Sequence, residues 1–492
     1  MNETEFVETI FNTIEDFNGQ MNINEYKTIV LNLIFLKYLS DEFEKKYQEL
    51  LNEGKGFEED IDEYHSENVF FIPQEARWET ISKKTHTSEN GTTIDTAMTL
   101  IENENNRLKG VFSKTFGNPE LDKTDLGELI DLFNNVNSYK NKDYWTNIFE
   151  DCLYKFFEAE GRGSSESYTP VCIIKTMTSI LQPTSGRVYD PCCGTGGMLI
   201  QTKKHIEYQE ENIQNVSLYG QEINNERWKL SKLNTIIHKL EVNLGDYPED
   251  TFTNNIHSNI KMDYILANPK FNMNNWGFDE LQDDTRWKYG IPPKGNANFA
   301  WMQHMISQLS PKGKIGIVLA NGSLSSTTSA EKKIRKAIVE DDLVECIIAL
   351  PNKLFHDGTI SACLWFLNKA KTQKGKTLFI DVREMGTMVS RKLRVLTQED
   401  IDLIADTFTD FKIGSLDDEK GFCKVSDLEE IKKHDYILTP GRYVGFKPEE
   451  DDGIPFEEKM KKLTSELDEL FKESNELEGK IRQSLKEIGF EF

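Results

Sequence analysis

The chain has 492 residues, enough for about three domains and for a sizeable core without disulfide staples. Its 83 Asp and Glu outnumber 58 Lys and Arg, and the resulting net charge of −25 excludes a protein that wraps nucleic acid unaided, because phosphate binding needs clustered cations. With 38% apolar and 29% charged residues, wholesale disorder is excluded as well.

Met1 to Phe6 place no basic segment ahead of an apolar run, so no secretion signal is expected. The first part reads as helices, and 1–150 is taken as an N-terminal helical domain. From Tyr26, apolar residues recur at Ile29, Val30, Leu33, Ile34 and Tyr38, spacings of three and four that share a helical face. Asn24 is the expected N-cap. The longest apolar run, Ile29 to Leu36, is broken by Asn32 and is too short to span a bilayer, so no membrane association is expected. Leu126 to Val136 is a further helix. The seven cysteines contain no C-x-x-C pair, and two of them are adjacent, which suits free thiols in a reducing cytoplasm better than disulfides or zinc.

At Arg187 the texture changes. Short β-rich runs at Arg187–Tyr189, Val216–Tyr219, Met262–Ala267, Lys314–Ala320, Leu343–Ala349 and Ala362–Phe366 alternate with helical stretches such as Met198–His205. Strand–helix alternation predicts βαβ units and a doubly wound parallel sheet, an α/β domain spanning 151–448. The first strand runs into Asp190-Pro191-Cys192-Cys193-Gly194-Thr195-Gly196-Gly197 and then a helix. Glycines let a ligand approach the backbone, and a helix N-terminus offers free N–H groups. This is neither a Walker A loop nor a G-x-G-x-x-G turn, and the carboxylate of Asp190 suits a cationic ligand better than a pyrophosphate. The second strand ends at Glu222, where doubly wound folds bind a ribose diol. Gly245-Asp246, after a third strand, is placed to hold an adenine amino group. The fourth strand ends Ala267-Asn268-Pro269-Lys270-Phe271. The Asn268 side-chain oxygen and the Pro269 carbonyl are two acceptors for an exocyclic amine, and Phe271 offers a face for a planar base.

After Pro440 the pattern is helical again. Glu449 to Gly453 reads as a linker, and Met460, Leu463, Leu467, Leu470, Leu477, Ile481, Leu485 and Ile488 form a heptad-like seam within 449–492. That seam either folds back on its own domain or docks on another subunit.

Asp-Pro-Cys-Cys-Gly-Thr-Gly-Gly followed by Asn-Pro-Lys-Phe resembles the cofactor and catalytic motifs of amino-methylating DNA methyltransferases. More narrowly, the chain resembles the modification (M) subunit of Type I restriction–modification systems. The supporting segments are Tyr26–Lys37, Tyr168-Thr169-Pro170, Arg286–Gly290, Gly295–Trp301 and Leu319–Gly322. The resemblance implies a Rossmann-like S-adenosylmethionine-dependent methyltransferase sheet, with the N-terminal helical domain and a C-terminal assembly helix.

It also implies roles. Glu166, Ser167, Tyr168, Thr169, Pro170 and Val171 would pack on the cofactor's methionine side. Gly194, Thr195, Gly196 and Gly197 would form the backbone cradle. Asp190 would face the methionine portion and Glu222 the ribose. Asn268, Pro269 and Phe271 would handle a flipped adenine, with Lys270 standing where the family usually has a second proline. The implied reaction is methyl transfer to adenine N6 in double-stranded DNA. The implied partners are a specificity (S) subunit, a second M subunit and a restriction (R) subunit. No independent DNA-reading segment is evident, which places recognition in another polypeptide. Two rival readings stay open: methylation of an RNA base or a protein glutamine, and a scaffold without catalysis.

Overall fold

The computed structural model describes residues 2–13, 22–136, 143–160, 169–355, 361–446 and 456–487. They fall into two compact units, Met1–Gly445 and Phe446–Phe492. Among the described residues, no helix is long and apolar enough to cross a membrane. All seven cysteines are free thiols, six of them buried.

The N-terminal helices gather around Ile23–Glu53. Its N-cap is Asn22, not Asn24: the Asn22 side chain accepts from the Asn24 and Glu25 amides, and Glu25 returns a carboxylate to the Asn22 amide. The position three before a Glu wins because it completes a reciprocal capping box. Nor is this helix one-faced, since every residue from Ile29 to Asp41 is buried. Its polar members have partners. Asn32 accepts from the Ser113 amide at 3.1 Å. Lys37 pairs with Asp41, whose other oxygen takes the Trp145 indole N–H at 2.8 Å. The apolar core here also includes Leu230, Leu233, Ile236 and Ile237 of the helix Asn225–Ile237, so the helical region and the sheet region share packing.

The strands of the second region are β1 (Gly186–Asp190), β2 (Val216–Gly220), β3 (Val242–Asn243), β4 (Met262–Ala267), β5 (Leu309–Ala320), β6 (Val344–Ala349), β7 (Ala362–Asn368), β8 (Lys376–Asp381), β9 (Thr387–Met388), β10 (Arg394–Val395) and β11 (Cys423–Asp427). Nine of them form one sheet in the order β11-β8-β6-β7-β5-β4-β1-β2-β3, and β9 and β10 form a separate hairpin. The sheet is mixed rather than wholly parallel. β7 runs antiparallel between β5 and β6, and β11 antiparallel on β8. β7 is buried on both faces, so its apolar run announces burial but carries no sign of direction. The sheet also extends past Phe366, through β8 and the more polar edge strand β11.

From β1 the chain proceeds outward through β2 and β3, then returns to lay β4 on the other side of β1. This reversal opens a crevice at the carboxyl ends of β1 and β4, the place where open α/β sheets bind ligands.

Candidate active site

The crevice is built around the ends of three strands, β1, β2 and β4. β1 ends at Asp190, whose carboxylate accepts from the Cys192 amide at 3.0 Å and so turns the chain. Cys193 donates to the Gln221 carbonyl and Gln221 to the Asp190 carbonyl, tying the turn to the end of β2. Gly194 donates its amide to Glu222 Oε2 at 3.0 Å, while Glu222 Oε1 takes the Asn224 amide at 2.8 Å. The carboxylate is thus oriented by two N–H groups. The helix Gly197–Tyr208 starts immediately after, with Gly196 in the left-handed region at φ 84°.

These groups line a cavity of about 400 Å³. Of the residues singled out in the sequence, Thr169, Asp190, Gly194, Thr195, Gly197, Glu222 and Asn268 line it. Glu166, Ser167 and Tyr168 lie outside the described residues. Pro170 and Val171 begin the helix Val171–Leu181 next to Thr169. Gly196 is not a wall of the cavity: a Cβ there would meet Ser231 Oγ at 3.0 Å, so this glycine lets the neighbouring helix approach. Asp246 also stands outside the lining, and Asp250 lines it instead. The reason is local. Glu249 donates its amide to the Glu222 carbonyl, and Gln221 Nε2 holds the Glu249 and Asn254 carbonyls, which draws Asp250-Thr251-Phe252 against the end of β2.

β4 delivers Asn268. Its Nδ2 donates to Thr169 Oγ1 at 2.8 Å, and its Oδ1 is buried with no hydrogen-bond partner among the described residues. An unpaired buried acceptor costs about 1–3 kcal/mol, so this orientation is maintained against a penalty. Phe271 lies outside the cavity lining and packs edge-on against Phe355, ring centroids 5.8 Å apart. The aromatic walls are Phe157, Phe252, Trp276 and Trp301, with 4.3 Å between the Phe252 and Trp301 centroids. Ile223 adds an apolar side chain beside Glu222. Sequence reading missed Ile223, Asp250, Thr251, Phe252 and Trp276. Trp301 had a signal, since it closes the Gly295–Trp301 segment. Beyond Asp246, the stretch 247–254 reads as ordinary loop and offered none.

Asp190 is 2% exposed, and burial pushes its carboxyl up to about 7, with the charge of Glu222 adding to the shift. A carboxyl so placed favours a cationic ligand, which would restore its ionised form. Burial also holds the Cys192 and Cys193 thiols well above their ordinary range, so neither supplies a thiolate nucleophile at neutral pH.

With this geometry in view, likeness to known proteins decides the family. The N-6 DNA Methylase family model matches residues 140–452, and the HsdM N-terminal domain model matches residues 6–133. The chain belongs to the N-6 DNA methylase family. Within it, the HindI methylase subunit of the Type I restriction enzyme from Haemophilus influenzae is 47% identical over 410 residues, covering 81% of this chain and 92% of the relative. The MjaIX methylase subunit from Methanocaldococcus jannaschii is 37% identical over 517 residues, covering 99% and 92%. This chain is therefore a methylase subunit of the Type I restriction–modification kind. A solved Type I methyltransferase subunit from Streptococcus thermophilus shares the fold at a TM-score of 0.76 and 22% identity, over 90% of this chain and 100% of that one.

Proposed function

We propose that this methylase subunit transfers the methyl group of S-adenosylmethionine to N6 of adenine in a specific sequence of double-stranded DNA, and so protects host DNA from restriction. The observation that carries this is the buried Oδ1 of Asn268, without a partner among the described residues, on a side chain held by Thr169 at the mouth of β4 in the same cavity as Asp190 and Glu222. The donor set fits the cofactor. Asp190 would take its ammonium group, Glu222 its ribose hydroxyls, and Ile223 would flank its base. The bound cofactor supplies a methyl carbon already made electrophilic by the sulfonium.

The protein's own work is then orientation. Asn268 Oδ1 and the Pro269 carbonyl accept the two N–H bonds of the target amine. Its nitrogen is thereby favoured in a tetrahedral, electron-rich form as the transition state develops. Alignment of amine and methyl matters more than a strong base. A base entering this cavity would meet Phe252, Trp276 and Trp301.

The partners are a specificity subunit that reads the sequence, a second copy of this chain, and a restriction subunit in the larger complex. The helix Phe456–Glu487 serves assembly. Free cysteines throughout fit a cytoplasmic setting. The family assignment weighs against a scaffold role, and the matched HsdM N-terminal domain weighs against RNA or protein glutamine as substrate.

The assay is incorporation of labelled methyl into duplex DNA by the full chain with its specificity subunit, followed by nucleoside analysis. The expected product is N6-methyladenine. Label in RNA or protein, with none in DNA, overturns the reading.

A pH dependence follows from Asp190. Below pH 7 its carboxyl is largely protonated and neutral; above pH 7 it is ionised and attracts the cofactor's ammonium. Cofactor affinity is therefore expected to rise from pH 6 to pH 8 in calorimetric titrations. Asp190→Asn should bind more weakly and flatten the profile. A wild-type profile flat across that window would remove Asp190 from the cofactor's contacts.

A further inference from the structure

The segment from Met385 to Gln398 contains Arg391, Lys392 and Arg394 and no acidic residue, in a chain whose net charge is −25. Its middle is the β9–β10 hairpin, Met388 opposite Arg394 and Thr387 opposite Val395. The hairpin is built rather than loose. Ser390 Oγ accepts from the Lys392 and Leu393 amides and shapes the tip. Arg394 donates to the Arg383 and Met385 carbonyls at its base. At Gly386 a Cβ would stand 2.7 Å from the Val395 carbonyl oxygen, so the two sides close only on a glycine. Arg391 and Lys392 are exposed at the tip, with no ion pair among the described residues.

The hairpin's place in the fold gives it meaning. β6 runs parallel to β8, and both run in the sense of β4 and β5, because β7 is antiparallel to β5 and to β6. The segments after β6 and β8 therefore emerge at the carboxyl end of the sheet, as Asn268 does after β4. Contacts link them. The Arg394 amide donates to the Lys353 carbonyl at 2.8 Å, and Lys353 Nζ to the Arg391 carbonyl. Lys353 holds φ 66°, a conformation that disfavours a non-glycine residue. Two residues on, Phe355 packs against Phe271 of the catalytic turn. In that turn Lys270 is exposed and lines the cavity mouth.

We propose that the 387–395 hairpin is a phosphate-gripping element that seats the DNA backbone beside the catalytic turn, with Arg391 and Lys392 as its contacts and Lys353 and Lys270 continuing the basic track toward Asn268. This rests on the reading of DNA as substrate. The track gives an otherwise acidic subunit a local hold next to the base it methylates, while sequence is read elsewhere. Phosphate contacts carry position without sequence information, which suits such a division. Met388 and Val389, exposed on the same hairpin, make a protein partner the rival occupant.

The experiment measures binding of a fluorescent duplex to the full chain across a salt series. Each phosphate contact contributes a slope of about −0.9 in log affinity against log salt. The double substitution Arg391→Ala and Lys392→Ala should flatten the slope by about 1.8. The control pair, Lys374→Ala and Lys376→Ala, removes equal charge at the opposite, amino end of β8, where both lysines are exposed, and should barely change it. Cofactor titration and thermal unfolding, unchanged in both variants, show that they fold. Equal effects from both pairs, no effect from the hairpin pair, or no wild-type binding at low salt each overturn the proposal. So does loss of co-purification with the specificity subunit at an unchanged slope, which would assign the hairpin to a protein face. Methyl incorporation by the wild type separates the two failures: incorporation into DNA with an untouched slope sinks the hairpin alone, and its absence sinks the DNA reading.

Discussion

Asn268→Ala is expected to slow methyl transfer by about 10²–10³, the loss seen when one preorganised transition-state hydrogen bond is removed, while cofactor affinity stays at the wild-type value. The two halves of that expectation rest on different contacts. The amide Nδ2 donates to Thr169 Oγ1, which leaves the side-chain oxygen turned away from Thr169. The oxygen is buried and has no partner among the described residues, so the arriving amine supplies its hydrogen bond. The groups assigned to the cofactor, Asp190 and Glu222, are tied to the Cys192, Gly194 and Asn224 amides and do not depend on Asn268. Asn268→Asp should retain more activity than Asn268→Ala, because one oxygen can accept from the Thr169 hydroxyl while the other faces the amine. Wild-type turnover in the alanine variant, measured with labelled cofactor at saturation, would dismiss Asn268 from the reaction. Cofactor affinity falling in step with turnover would recast it as a binding residue.

The parts of the site legible in the sequence are those where the chain changes state. Asp190, Glu222 and Asn268 each stand where an apolar β run stops, and a strand's carboxyl end is the one position in an α/β fold whose location can be read without knowing its neighbours. Gly196 was legible as a special residue but not in its reason. Its positive φ is a local property, whereas the Ser231 side chain it accommodates lies 35 residues away on another helix.

Asp250 was not legible, because its neighbours draw it to the cavity: the Glu249 amide donates to the Glu222 carbonyl, and Gln221 Nε2 donates to the Glu249 and Asn254 carbonyls. Phe271 shows the converse. An aromatic next to an Asn-Pro turn suggests stacking on a ligand, yet the ring packs against Phe355, 84 residues later in the chain. The aromatics that do line the cavity are Phe157, Phe252, Trp276 and Trp301, on separate segments, with Phe252 in tilted ring contacts to both tryptophans. Local pattern finds the groups that end an element. Groups that arrive by tertiary packing leave no periodicity to find.

Removal of the chain after Asp452 is expected to abolish assembly with the specificity subunit and, with it, methylation of DNA, while leaving cofactor binding at the wild-type level. All described residues that line the cavity fall between Phe157 and Trp301, inside the first compact unit. The removed helix, Phe456–Glu487, is 32 residues long and has no buried residue. Along it Met460, Leu463, Leu467, Leu470, Leu477 and Ile481 are exposed, at heptad-like spacing. A helix that leaves such a seam in water forgoes the ~1.5–3 kcal/mol available from burying each large apolar side chain, and a partner helix laid along the seam recovers it. Charge placed on the seam tests the same idea without truncation. Leu467→Glu with Ile481→Glu keeps the chain length and the helix, since Glu is a good helix former. It puts two carboxylates where a contact would strip their water, at a cost of several kcal/mol each. Both variants should bind cofactor normally, fail to co-purify with the specificity subunit, and transfer no methyl to DNA. Were the truncated chain alone to methylate duplex DNA at one sequence, recognition would reside in residues 1–452, and the helix would have no part in it.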